Sequence, residues 1–192
     1  MTKPIILASN SPRRRDLLRQ IGLAFTADPA DVDERMLPGE GAEEYAVRVA
    51  LDKARAAATR AGKGLVIGAD TIVVADAAVL GKPRDSRDAE RMLGLLSGRA
   101  HRVITGLAIV DAGSGASRTA SAMTTVWFRD LSAAEISAYV ATGEPLDKAG
   151  AYGIQERGAL LVARIDGCFF NVVGLPISLL AEVLGEFGVR LL

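Results

Sequence analysis

The sequence predicts an α/β fold with a mixed, partly antiparallel sheet and flanking helices. Three observations carry this expectation. Strand-like and helix-like stretches alternate along the chain. The run LVIGADTIVVAD, residues 65–76, is apolar enough for a strand buried on both faces. Two β-rich runs, HRVITGLAIVDA and SRTASAMTTVWFR, flank the turn GSGA in the manner of an antiparallel hairpin.

The elements follow in order. PIILAS, residues 4–9, reads as a short strand. Ser11-Pro12 then supplies the cap and first position of a helix running to about Gln20, with Leu17, Leu18 and Ile21 as its apolar stripe. FTADPADVDE is extended and then loop. EEYAVRVALDKARAAATR, residues 43–60, is a long helix whose stripe reads Val47, Leu51, Ala54 and Ala58, which puts Lys53 on the opposite side. After the strand 65–76, VLGKPRD forms a turn into the helix SRDAERMLGLLS. The hairpin comes next, followed by the helix SAAEISAYVAT, which ends at Gly143 as a C′ residue. ALLVARIDGCFFNVVG reads as a second hairpin turning at Asp166-Gly167, and Pro176 opens the last helix.

At 192 residues, 49% of them hydrophobic, the chain is long enough for one domain, residues 1–192, or two small lobes sharing a core. Cys168 is the only cysteine and His101 the only histidine, which excludes a disulfide framework and a Cys/His zinc site. Cys168 is expected in the core and His101 at the surface. A reducing, cytoplasmic setting follows from the cysteine usage. PIILA is too short for a signal sequence, and CFFNVVGLPISLL is broken by Asn171, Gly174 and Pro176, so a soluble protein is expected. With 23 basic and 23 acidic residues, no global charge draws the chain to nucleic acid or to a membrane, and any anion site is local.

Several polar residues do not fit their elements. Arg13, Arg14 and Arg15 fall in the first turn of a helix, whose N-terminus already carries about half a positive charge and unpaired N–H donors. Either they splay into solvent or, with those N–H groups, they surround a polyanion such as phosphate. Asp70 stands inside VIGADTIVV, where an unpaired carboxylate is costly, so it is paired, holds a divalent cation or takes a proton from water; Thr71 adds a second oxygen beside it. In GKPRD, Gly81 and Pro83 fix a turn that projects Lys82. In TGEPLDKAGAYGIQ, Gly143, Gly150 and Gly153 mark an aperiodic stretch, and the Gln155 amide has the paired donor and acceptor that read a base edge. DVDE offers Asp31, Asp33 and Glu34, either as turn and capping residues or as a further carboxylate for a cation. Walker A, G-x-S-x-G and G-x-G-x-x-G patterns are absent.

Taken in order, LASNSPRR, DVDE, the helix bearing Lys53, GADTIV, GKPRD, MLGLLSGRAHRVITG, YVATGEPLDKAGAYGIQ and NVVGLPI resemble the Maf-like nucleoside triphosphate pyrophosphatases over nearly the whole chain. The resemblance implies a mixed sheet with helices around a central nucleotide cleft, a Maf or inosine triphosphatase-like fold. It implies hydrolysis of nucleoside triphosphates between the α and β phosphates with Mg²⁺ or Mn²⁺, in a family in which homodimers are common. Ser9, Arg13 and Arg14 match the phosphate-binding loop, and Glu34, Lys53 and Lys82 match cleft positions. Asp70 matches the proton acceptor, and Arg13, Thr71 and Gln155 match positions of base selection; Arg15 lies outside the motif. The implied catalytic set is Asp70, Lys82 and Lys53, with Asp70 and Glu34 toward the metal. DKAGAYGIQ is similar to the branch acting on dTTP and UTP. The alternatives are the sibling specificity for 7-methyl-GTP and a nucleotide-binding regulator of cell division or septum formation.

Overall fold

The computed structural model describes residues 3–192. Among these, the elements in chain order are β1 (Ile5–Leu7), α1 (Pro12–Gln20), β2 (Thr26–Ala27), α2 (Ala42–Ala61), β3 (Leu65–Ala75), β4 (Ala78–Leu80), α3 (Ser86–Leu96), β5 (Ala100–Asp111), β6 (Ser117–Phe128), α4 (Ala133–Val140), β7 (Val162–Asp166), α5 (Phe169–Val173) and α6 (Ile177–Glu186). Three short 3-10 turns occupy Glu144–Asp147, Ala149–Ala151 and Glu156–Leu161. The strands join in the hydrogen-bonded order β2-β1-β3-β5-β6-β7, with β4 paired to β3. β1 is parallel to both β2 and β3, whereas β3–β4 and β6–β7 are antiparallel, so the sheet is mixed, as the sequence predicts.

The chain gathers into two compact units: the segment through Asp70 with Thr105–Ala122 and Gly174–Leu192, and Thr71–Ile104 with Met123–Val173. In the first unit, α2 lies on the sheet through an alanine face. Ala46, Ala50, Ala54 and Ala57 are fully buried, and Ile6, Val66, Ala108 and Val110 meet this face. The approach is close because the sheet offers glycines. A Cβ on Gly68 would stand 2.1 Å from the Ala50 carbonyl oxygen, and one on Gly106 would stand 2.2 Å from that of Ala46. Only glycine, which has no Cβ, fits at these two positions. The second unit has its own core, in which Val73, Leu93, Leu96, Val126, Phe128, Tyr139 and Tyr152 pack together.

Several expectations are corrected. The buried stripe of α2 is Ala46, Val49, Ala50, Lys53, Ala54, Ala57 and Ala58, so Lys53 lies within it and not opposite. Ala54 and Ala58 of the expected stripe are buried, whereas Val47 and Leu51 are only partly buried, with Leu51 packing against this cluster; alanines stand where the two backbones come closest. After Gly167 the chain forms α5 and not a second strand. The fully buried Asn171 donates through Nδ2 to the Val103 carbonyl and to Thr124 Oγ1, while Thr124 Oγ1 also accepts from Cys168 N; these side-chain bonds divert the apolar run FFNVV into a helix. His101 is buried and Cys168 is only half-buried, the reverse of expectation. The imidazole sits edge-on to Phe128 and Tyr152, with Nε2 2.7 Å from Tyr152 Oη, and burial pushes its pKa from 6.5 down to about 4.

Among the described residues, no helix is long and apolar enough to cross a membrane.

Candidate active site

In the first unit, β1 leads through Ser9-Asn10-Ser11 directly into the N-terminus of α1. Ser11 caps the helix by accepting from Arg14 N, and Pro12 takes the first position. Because β1 and β3 run parallel with Leu7 opposite Ile67, Asp70, in the middle of β3, lies just past the carboxyl end of β1, where the chain turns toward α1. Open α/β sheets place ligands at that end, and a helix N-terminus there presents N–H groups to an anion.

The three arginines of this turn have separate fates. Arg14 is buried: Nε donates to the Gly174 carbonyl at 2.8 Å and Nη1 donates to Ser9 Oγ at 3.1 Å. Burial lowers its pKa, the charge of Asp70 opposes that shift, Arg13 adds to it, and Glu34 opposes it again. Arg13 is half-buried beside it. Arg15, which carries no role in the motif, closes back on the Asn10 carbonyl at 3.0 Å and braces the loop. No acidic residue occupies this first turn to neutralise the arginines.

Asp70 finds its partner in α2. Lys53 Nζ donates to Asp70 Oδ1 at 2.7 Å, with both side chains about a tenth exposed, and lies 2.7 Å from Glu34 Oε1 as well. Two carboxylates thus converge on one ammonium. From the DVDE loop, Glu34 reaches this point. Asp33 instead accepts from the Arg35 guanidinium, and that bond lowers its carboxyl to about 2. Tyr45, two turns before Lys53 on α2, donates to the Glu34 carbonyl at 2.7 Å and so fixes the loop. Burial raises the Tyr45 pKa, and the charges of Asp70 and Glu34 raise it further. The motif NVVGLPI includes Gly174 but gives it no role, and no quoted motif includes Tyr45, which the spacing of Tyr45 and Lys53 on one helix could have found.

Ser9, Arg13, Arg14, Glu34, Lys53 and Asp70 therefore form one charged neighbourhood, with three cations against two carboxylates. The surplus positive charge and the helix N-terminus suit a polyanion. Among the described residues, no group of three or more His, Cys, Asp or Glu gathers to hold a metal ion. Two carboxylates with hard oxygen donors match the habit of Mg²⁺, which is commonly held by one or two carboxylates together with substrate phosphates.

The other three anticipated residues belong to the second unit. Thr71 follows Asp70 in β3 and is half-buried. Lys82 is exposed in the turn between β4 and α3, which is anchored by Gly150 N donating to the Gly81 carbonyl at 3.0 Å. Gln155 is exposed just before the third 3-10 turn, and Glu156 after it has a left-handed backbone with φ 53°.

Residues 4–187 match the family model described as Maf-like protein. The chain is 55% identical over 188 residues to a dTTP/UTP pyrophosphatase of Moorella thermoacetica, covering 96% of this chain and 95% of the relative. It is 50% identical over 186 residues to the dTTP/UTP pyrophosphatase of Syntrophomonas wolfei, covering 97% and 98%. It is 50% identical over 190 residues to that of Gloeobacter violaceus, covering 99% of each. Family model and full-length relatives agree, and the chain belongs to the Maf family.

Proposed function

We propose that the protein is a nucleoside triphosphate pyrophosphatase that hydrolyses dTTP and UTP to the monophosphate and pyrophosphate. The observation that carries this reading is the buried Asp70–Lys53 pair, met from the solvent side by the exposed Glu34 and set beside the arginine-bearing N-terminus of α1. The names of its full-length relatives support the substrates.

The chemistry asks for positioning, charge neutralisation and a base, with little covalent work for the protein. Water attacks the α-phosphorus. Asp70 accepts the water proton, a new P–O bond forms, the bond from the α-phosphorus to the bridging oxygen breaks, and pyrophosphate leaves. Lys53 holds the Asp70 carboxylate in place. Arg13, Arg14 and the N–H groups of the α1 first turn neutralise the phosphates, with Ser9 ordering the Arg14 guanidinium. Lys82 is assigned to the phosphates, and Arg13, Thr71 and Gln155 to base selection. Glu34 and Asp70 would hold Mg²⁺ or Mn²⁺, which supplies further neutralisation of phosphate charge when bound. The two duties compete for one carboxylate, so Asp70 is assigned first to the proton and Glu34 first to the cation. We place the activity in the cytoplasm, in a homodimer, with nucleotide and neither nucleic acid nor membrane as partner.

Hydrolysis in ¹⁸O-water tests the reaction. Label recovered in dTMP, with unlabelled pyrophosphate seen by ³¹P NMR, supports attack at the α-phosphorus. Label in pyrophosphate, or release of orthophosphate and dTDP, refutes it.

A further inference from the structure

We infer that Glu144 and Tyr139 are positioning residues for Gln155, clamping its segment on both sides through one carboxylate and one phenol. Their role rests on the proposed function, in which Gln155 carries base selection.

Gln155 is exposed and lies in no strand or α-helix, so its own side chain does not fix its place. The neighbouring backbone does. Two residues before it, Gly153 N donates to Tyr139 Oη at 3.3 Å. Two and three residues after it, Arg157 N donates to Glu144 Oε2 at 3.3 Å and Gly158 N donates to Glu144 Oε1 at 3.1 Å. Tyr139 Oη itself donates to Glu144 Oε1 at 2.9 Å, which joins the two arms. Every one of these groups lies in the second unit.

Four further features fit a clamp under tension. Glu156 holds a left-handed backbone that an L side chain rarely adopts, and the bonds from Arg157 N and Gly158 N to Glu144 retain it. The segment closes on itself tightly: a Cβ on Gly158 would stand 1.9 Å from the Gly153 carbonyl oxygen and 2.7 Å from Tyr139 Oη. Tyr139 is a buried anchor, 5% exposed in the core of its unit, and burial together with the Glu144 carboxylate keeps the phenol protonated and donating. Lys148 Nζ, donating to the Glu144 carbonyl at 2.6 Å, steadies the other end of the same residue. A surface loop with no duty needs no such arrangement around one exposed glutamine.

The test is steady-state turnover of dTTP, UTP and CTP by the full chain and by Glu144→Gln, Tyr139→Phe and Gln155→Ala. Glu144→Gln should raise KM for dTTP and UTP about tenfold with kcat within about twofold, the signature of lost substrate binding, and should lower the dTTP-to-CTP preference toward that of Gln155→Ala. Adding Glu144→Gln to Gln155→Ala should cost no further preference, since both act through one amide. Tyr139→Phe keeps its ring in the core and should move in the same direction, which covers the case in which Glu144→Gln does not fold. Wild-type KM and preference in both variants would overturn the inference, as would an equal fall in kcat for all three nucleotides. Wild-type chain inactive on dTTP and UTP would instead overturn the proposed activity, and an unchanged preference in Gln155→Ala would remove base selection from Gln155 and the clamp's purpose with it.

Discussion

Lys53 Nζ and Asp70 Oδ1 lie 2.7 Å apart, joining the middle of α2 to the strand residue on which the proposed chemistry turns. Both side chains of the pair are about nine-tenths buried, so removing one partner strands the other in a poorly solvated place. Lys53→Met is expected to lower stability by about 3–5 kcal/mol, and Asp70→Asn by less, because Lys53 keeps Glu34. Urea unfolding measures both, and kinetics separates them from chemistry: Asp70→Asn should fold yet lose at least about a hundredfold in kcat, the usual worth of a general base.

Arg13 and Arg14, adjacent in sequence, should fail differently. Arg14→Ala removes the buried donor to Ser9 Oγ and to the Gly174 carbonyl, at a cost of about 1–3 kcal/mol. Arg13→Ala should keep the wild-type melting temperature within about 2 °C and lower kcat/KM by at least about tenfold, as loss of one charged phosphate contact would. Near-full turnover in Arg13→Ala would remove it from the phosphate loop.

Chelation should abolish turnover, and Mg²⁺ or Mn²⁺ should restore it. Glu34→Gln should raise the metal concentration for half-maximal activity by at least about tenfold while leaving the maximal rate less affected. Turnover that persists in excess chelator would remove the cation from the mechanism.

His101 makes stability depend on pH. Its folded pKa is pushed from 6.5 to about 4 by burial, so between those values the unfolded chain binds the proton more readily than the folded one. Stability therefore falls as pH drops through that window and is untouched above it. His101→Phe keeps an aromatic ring against Phe128 and should flatten this part of the profile, at a fixed cost for removing the imidazole partner of Tyr152 Oη. Melting temperatures from about pH 7 to about pH 4.5 for both proteins would show it.

Gly68→Ala puts a methyl 2.1 Å from the Ala50 carbonyl oxygen and must push α2 off the sheet. A loss of about 1–3 kcal/mol is expected, together with reduced kcat, since Lys53 rides on the same helix. Gly185→Ala, which meets nothing within 4 Å, is the matched control.

The parts of the chain that are legible in sequence are those where local chemistry decides. Ser11-Pro12 set the start of α1, and three arginines in a positive first turn that holds no acidic residue raise the question of an anion, although by themselves they suit solvent equally well. Asp70 in an apolar strand requires a partner, and Lys53 is that partner. Long-range contacts decide the rest. Hydrophobicity does not reveal the face of α2, because close packing on Gly68 and Gly106 selects alanine over valine and leucine. FFNVV has strand character that Asn171 overrides through bonds to Val103 and Thr124, residues 68 and 47 positions away. β4 is hidden in the sequence because Asp76, with φ 52°, makes a turn that Asp-Ala does not advertise.

The most direct test is pyrophosphate release by the wild-type protein from dTTP, UTP, CTP, GTP, ATP and 7-methyl-GTP, with Mg²⁺, with Mn²⁺ and with chelator. Metal-dependent release with kcat/KM highest for dTTP and UTP is the expected result. Release from none of them, with nucleotide still bound, would contradict the proposed activity, and release from 7-methyl-GTP alone would contradict the substrates.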